Sequence, residues 1–208
     1  MSGINKKCFI FLVIFQLPFY SFSQGEFNQW RFGYNAGLDF NQTPPIAVSG
    51  SALVSLFITV SSADSNGTLL FYSNGTNVWN RNNTIMSNGS GLFTNFACQT
   101  VFSAPIPGTL HLYYLFTIGP WNFLPTMKGL FYSIIDMQLN AGLGGIVSGE
   151  KNIPVMGGEN VPTGIHGTRH WNNKDTWIVV RSQEPQQYLS YLIIPMLNGF
   201  SIESTMGC

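Results

Sequence analysis

Charge is what this sequence has least of. Nine basic and nine acidic side chains in 208 residues make up 9% of the chain, against roughly 25% in an average soluble protein. They cancel to a formal charge of zero, and no basic block is longer than Lys6-Lys7. Non-specific nucleic-acid binding needs a cationic footprint, so that partner class is excluded. The polar surface must come from Asn, Ser, Thr, Gln and Gly, a chemistry common outside the cell. Long hydrophobic runs are also scarce. Cys8 to Leu17 is an apolar run of ten residues, and a transmembrane helix needs ~20. No long segment combines helical periodicity with capping residues at its ends. Gly-x-Ser-x-Gly elbows and cysteine–histidine nucleophile signatures are missing. No pattern asks for a cofactor.

The amino terminus accounts for part of the apolar content. Lys6-Lys7 precede the run CFIFLVIFQL, which breaks at Pro18, and Ser21-Phe22-Ser23 places small residues before Gln24. That order predicts a secretory signal peptide over residues 1–23, removed on export, with no transmembrane segment left afterwards. Cys8 follows Asn5-Lys6-Lys7, which is not a lipoprotein signal. Removal of the leader leaves seven basic side chains against nine acidic, and two cysteines, Cys98 and Cys208. A disulfide and two free thiols are both open for that pair.

Residues 24–208 consist of short apolar and aromatic runs separated by turn chemistry. Strands are predicted at Ala52–Val60, Thr68–Ser73, Thr76–Asn80, Thr100–Ala104, His111–Ile118, Gly129–Asp136, Ile165–His170, Thr176–Arg181 and Tyr188–Ile194. Their Tyr, Phe, Trp, Ile and Val suit a pleated, half-buried surface. Asn74-Gly75 between two of them is a strong hairpin signal. Many short strands without helices mean a sandwich, barrel or propeller.

An internal repeat favours the propeller. Tyr132-Ser-Ile134-Ile135-Asp-Met137 recurs as Tyr191-Leu-Ile193-Ile194-Pro-Met196, followed by Leu139-Asn140 and Leu197-Asn198. Two further strands lie upstream of each copy. A looser fourth follows, at Ile146–Val155 and Phe200–Ser204. The fold class expected is therefore all-β, a partial β-propeller of WD or kelch-like four-stranded blades. About three units are expected, over 27–98, 99–160 and 161–208. A β-sandwich is the alternative.

Several blocks then carry a family likeness. The first is Trp30-x-Phe32-Gly33-x-x-Ala36-Gly37-Leu38-Asp39-Phe40, followed by Pro44-Pro45. The second is Ser65-Asn66-Gly67-x-Leu69-Leu70-Phe71-Tyr72-Ser73-Asn74-Gly75-x-x-Val78-Trp79-Asn80-Arg81, and Met86-x-Asn88-Gly89-x-Gly91-Leu92 comes after it. Tyr113-Tyr114-x-Phe116-Thr117, Gly129-Leu130-x-Tyr132-Ser133-x-x-Asp136-Met137 and Gly142-Leu143-Gly144 continue the order. In this order they resemble the N-terminal propeller-like region of large Bacteroidota surface proteins. The resemblance covers about Phe27 to about Ser201. It implies export as cargo of the type IX secretion system and a place outside the cell or on its surface. It also implies further domains of a longer chain, immunoglobulin-like ones and a gliding-motility-associated sorting domain. A ring of about three units would be open, with unpaired strand edges. The family implies location and architecture, and no reaction.

Candidate chemistry is thin. His166 and His170 would share one face of a helix, but in a strand their spacing is roughly 13 Å, too far for one metal ion. Asp64-Ser-Asn66-Gly67 begins like a calcium loop, yet Gly75 stands where the loop needs glutamate, and a β-turn explains the segment. Glu26, Asp39, Asp64, Asp136, Glu150, Glu159, Asp175, Glu184 and Glu203 are scattered, mostly beside turns, with no visible pair for glycoside hydrolysis. Sequons at Asn41, Asn66, Asn74, Asn82 and Asn88 mark exposed turns. The aromatics offer the best binding residues, because exposed rings stack on sugars or anchor proteins. Trp79 and Trp177 sit inside strands and read as core. Trp121, in a Gly-Pro-Trp-Asn-Phe loop, and Trp171, before Asn172-Asn173, read as ligand contacts. The expectation is a non-enzymatic adhesion or recognition module for a glycan or surface protein. A secreted propeller-class hydrolase and a structural fragment without activity of its own are the alternatives.

Overall fold

The computed structural model describes residues 25–95, 97, 99–120, 127–195 and 205–207. The predicted leader, Cys98, Cys208, Trp121 and the strand expected at Phe200–Ser204 lie outside the described residues. The fold is all-β. A short 3-10 turn, Gly25–Phe27, leads into four layers of antiparallel strands, taken from the chain in order. Layer 1 is β1 (Gln29–Phe32), β2 (Tyr34–Asp39) and β3 (Ile46–Val54). Layer 2 is β4 (Val60–Ala63), β5 (Leu69–Ser73), β6 (Asn77–Asn80) and β7 (Ile85–Ser90). Layer 3 is β8 (Val101–Pro105), β9 (Leu112–Gly119) and β10 (Gly129–Asp136), with two short pieces, β11 (Gly145–Ile146) and β12 (Ile153–Pro154), both on β10. Layer 4 is β13 (Ile165–Arg169), β14 (Thr176–Ser182), β15 (Gln187–Ile193) and β16 (Thr205–Gly207). One parallel bridge, Gly145 to Ser87, joins β11 to β7 and merges layers 2 and 3 into a nine-stranded sheet.

Burial along the strands reports the stacking order. Every residue of β5, Leu-Leu-Phe-Tyr-Ser, is buried, and β9 and β10 are nearly so. Such strands have protein on both faces. In β14 burial alternates, and β1 alternates likewise, so each of these has one face open. Three apolar clusters fill the spaces between layers. Leu53 packs with Leu69, Tyr72 and Trp79 between layers 1 and 2. Leu70, Phe71 and Val78 meet Leu115, Ile135 and Ile146 between layers 2 and 3. The largest cluster sets Tyr114, Phe116, Ile118 and Leu130 against Ile165, Ile178, Val180, Leu189 and Tyr191 between layers 3 and 4.

The first strands of the layers lie side by side. The β1 amide of Arg31 donates to Ser61 Oγ on β4 at 2.8 Å. Ser62 Oγ on β4 and Ser103 Oγ on β8 are 2.6 Å apart. The Ile165 amide that opens β13 donates to the Gln99 carbonyl just before β8 at 2.8 Å. Gly167 on β13 lies against the Phe102 ring of β8, where a Cβ would collide with it.

Three details depart from the sequence reading. The single strand expected over Ala52–Val60 is two strands. Ser55 Oγ donates to the Ile58 carbonyl at 2.7 Å and accepts from the Ile58 amide at 3.1 Å, turning the chain and exposing Leu56 and Phe57. The stretch 27–98 accordingly holds layers 1 and 2, two sheets where the spacing suggests one unit. The two copies of the Tyr-x-Ile-Ile motif also occupy opposite phases. Tyr132 faces layer 4 beside Tyr114, with rings 5.6 Å apart, whereas Tyr191 faces layer 3 within the same cluster. Equivalent letters therefore look toward one another instead of in the same direction.

Candidate functional site

Two places gather exposed aromatic and polar groups. The first is the turn between β13 and β14. Trp171 is 86% exposed at its tip. The turn beneath it is heavily cross-linked. The His170 amide donates to the Asp175 carbonyl at 2.9 Å, and the Asn173 amide returns to the His170 carbonyl at 2.9 Å, with Asn173 in the left-handed region at φ 58°. Asn172 Oδ1 accepts from the amides of Lys174 and Asp175 at 2.9 and 3.0 Å, and its Nδ2 donates to Asp175 Oδ2 at 2.6 Å. Asn side chains that accept from backbone two and three residues on are turn formers. The His170 ring lies between Trp171 and Trp177, with centroids 5.6 and 5.9 Å away. Trp171 thus stands on a braced tip, its indole facing solvent. Of the two tryptophans read as core, Trp79 is buried and stacks on Tyr72, with rings 5.5 Å apart, while Trp177 is half-buried on the open face of layer 4.

The second place is a cleft of about 780 Å³ where the four first strands meet. That volume is within the usual range for small-ligand sites. Trp30 and Phe32 of β1, Val60 and Ser61 of β4, Phe102 and Ser103 of β8, and His166, Thr168 and Arg169 of β13 contribute to its wall. Trp30 is half-exposed, its Nε1 donates to the Phe27 carbonyl at 2.9 Å, and its ring packs on Phe40 at 4.9 Å. At the rim, Arg169 of layer 4 pairs with Glu26 at the start of the chain. Sequence inspection does not find this cleft, because its wall comes from four short strands spread between residues 26 and 176. A partial signal existed: each layer opens on a strand with Ser, Thr or Arg among apolar neighbours.

Arg31 is the unusual member of that wall. It is only 8% exposed. Its side chain crosses Gly37, where a Cβ would come within 3.0 Å of the Arg31 Cδ. Nη1 donates to Gln29 Oε1 at 3.1 Å and to the Trp30 carbonyl at 3.0 Å. Burial lowers its pKa, offset in part by Tyr72 and then by the charge of Asp39. The Asp39 carboxyl is itself held below its ordinary range, chiefly by the Asn41 amide, which donates to Oδ1 at 2.8 Å.

The carboxylates serve turns, as their positions in the sequence imply. Asp64 Oδ1 accepts from the amides of Asn66 and Thr68, both at 2.9 Å, and Asp136 Oδ1 from the Gln138 amide at 2.8 Å. Asp64-Ser-Asn66-Gly67 is therefore a turn, with Gly67 at φ 81°. Among the described residues Glu26 is the only carboxylate lining the cleft, and no group of three His, Cys, Asp or Glu is placed to hold a metal. His166 faces the cleft and His170 the turn beyond it. Among the described residues no helix is long and apolar enough to cross a membrane. Compared with known proteins, the chain matches no family, no curated protein and no solved structure.

Proposed function

We propose that this chain is a non-enzymatic recognition module, secreted or displayed at the cell surface, in which the four layers act as blades of an open propeller. In this reading it is the leading part of a longer type IX-secreted protein. It presents Trp171 to a glycan or a surface protein. The observation that carries the reading is the braced tip. A large apolar ring left 86% exposed, on a turn whose amides and carboxylates are already satisfied, adds little to folding. Rigid exposed indoles are favoured contacts because little entropy is lost when they bind. The hydrolase alternative needs two facing carboxylates, and Glu26, tied to Arg169, is a poor start for such a pair.

The test is binding of the labelled chain to intact source cells and to an immobilised glycan panel, with and without Trp171→Ala, and in parallel Trp121→Ala. The expected result for Trp171→Ala is at least a tenfold loss of binding with an unchanged unfolding midpoint. Unchanged binding, or a loss that tracks lost stability, overturns the reading.

A further inference from the structure

One end of layer 1 carries a cluster of exposed apolar side chains on two adjoining turns. Ser55 Oγ donates to the Ile58 carbonyl and accepts from the Ile58 amide, and the Ser55 amide donates to the Gly33 carbonyl at 2.9 Å. These bonds tie the turn after β3 to the turn between β1 and β2. Tyr34, which opens β2, is the register partner of Val54, which closes β3. Phe32, Tyr34, Val54, Leu56 and Phe57 are all exposed there, most of them by half to two-thirds. The turns of layer 2 run through Asp64–Gly67, Asn74-Gly75 and Asn82-Asn83, the polar chemistry usual for exposed reversals. The Ser55 turn instead displays two large apolar side chains, and its bonds hold them outward. From Phe40 to Ala63 the chain has no Asp, Glu, Lys, Arg or His.

We infer that this patch is an interface between two copies of the chain, paired about a two-fold axis. The area supports it. The five side chains expose about 500 Å² between them, at ~150–250 Å² for a whole aromatic side chain, and Asn35 and Thr59 border them. Two such patches face to face bury about 1,000 Å², the scale at which a specific, reversible interface begins. The absence of charge favours a second copy as the occupant. A two-fold interface sets each side chain near its own equivalent, so a charge there would oppose itself, and a charged partner would find no complement. A braced apolar turn also has little freedom left to lose on docking. Glu26, at the start of β1, pairs with Arg169, two residues before Trp171, whereas the patch lies at the other end of β1. The patch therefore does not include Trp171, and the inference stands without the recognition reading.

Sedimentation velocity of the full chain, from about 1 to about 200 μM, is expected to show a monomer–dimer equilibrium in the micromolar range. Added salt should leave it in place, because no ion pair holds it. Leu56→Asp combined with Phe57→Asp sets like charges face to face, and Tyr34→Ser removes a ring from the other turn. Each variant is expected to raise the dissociation constant about tenfold or more, with an unchanged unfolding midpoint because these side chains are exposed. Trp171→Ala should leave the dimer intact. A chain that stays monomeric across the whole range overturns the inference, and so does a dimer that salt dissociates or that both variants leave unchanged. A monomer that instead floats with phosphatidylcholine vesicles, and no longer does so with Leu56→Asp and Phe57→Asp, overturns it in favour of a membrane contact. Should the double variant fail to fold, Tyr34→Ser decides.

Discussion

The interface between layers 1 and 2 and the interface between layers 3 and 4 solve the same packing problem by different means. The first has a small apolar cluster, Leu53 with Leu69, Tyr72 and Trp79. Directional contacts surround it. Tyr72 Oη accepts from the Ala52 amide at 2.9 Å and donates to Asn83 Oδ1 at 2.8 Å, and Gln29 Nε2 reaches the Gly67 carbonyl at 3.2 Å. The second interface is broad and apolar, fifteen buried residues in one cluster, and it hides a flaw. Tyr191 Oη is buried there with no hydrogen-bond partner among the described residues. One seam is held by geometry and the other by area. An unmet hydroxyl is not confined to the broad seam, since Ser51 Oγ on β3, two residues from Leu53, is also buried without a partner among the described residues. The seams differ in how much of their contact is directional.

Substitutions can break or sharpen this contrast. The largest effect belongs to the broad seam. Ile178→Ala, at a fully buried position, is expected to cost about 2–5 kcal/mol in urea unfolding, and a smaller loss would mean that the seam is not close-packed. Alkaline pH comes next. Burial, aided by the charge of Glu159, pushes the Tyr191 hydroxyl up to about 12, against about 10 in an unfolded chain. Between those values the unfolded chain has released a proton that the folded chain keeps. Stability is therefore complete below pH 10 and falls as pH rises through 12, by about 1.4 kcal/mol per pH unit for this group. Burial also raises Tyr114 in the same seam, which steepens the fall. Unfolding midpoints measured from pH 9 to 12 check the slope, and Tyr191→Phe should reduce it.

The same chemical change should then act with opposite sign at the two seams. Tyr72→Phe strands the Ala52 amide and Asn83, and is expected to destabilise by about 1–3 kcal/mol. Tyr191→Phe removes an unmet hydroxyl and is expected to stabilise by about 1 kcal/mol. Equal signs in chemical denaturation would erase the distinction between the seams. The smallest effect is Trp171→Ala, expected within about 0.5 kcal/mol of the parent because the side chain packs on little, and a thermal melt decides it.

Much of this architecture is visible in the letters. Asn74-Gly75 forms the predicted hairpin, with Gly75 at φ 80° and Asn74 Oδ1 accepting from the Thr76 and Asn77 amides. The strands at Gly129–Asp136 and Ile165–Arg169 fall where the aromatic and β-branched runs place them. Ser55 hides a chain reversal inside an apolar run, because Ala52–Val60 has no Gly or Pro to announce it. The repeated Tyr-x-Ile-Ile is legible as similarity but not as phase, since one residue of offset turns a strand over. Trp171 is readable from its Asn neighbours. Arg31 is not, because its side chain lies over Gly37 across the ladder. Local chemistry shows through the sequence, and a cleft built from four distant strands does not.

Each layer is cut from one unbroken stretch of chain, and each packs on the stretch before it. A polypeptide emerging amino end first therefore never has to wait for a distant segment. Every new layer meets a docking face that already exists, so order spreads along the chain from neighbour to neighbour, as in repeat proteins. The broadest apolar seam closes last, when β14 and β15 arrive. A pause before residue 176 would leave the widest sticky face, that of layer 3, uncovered.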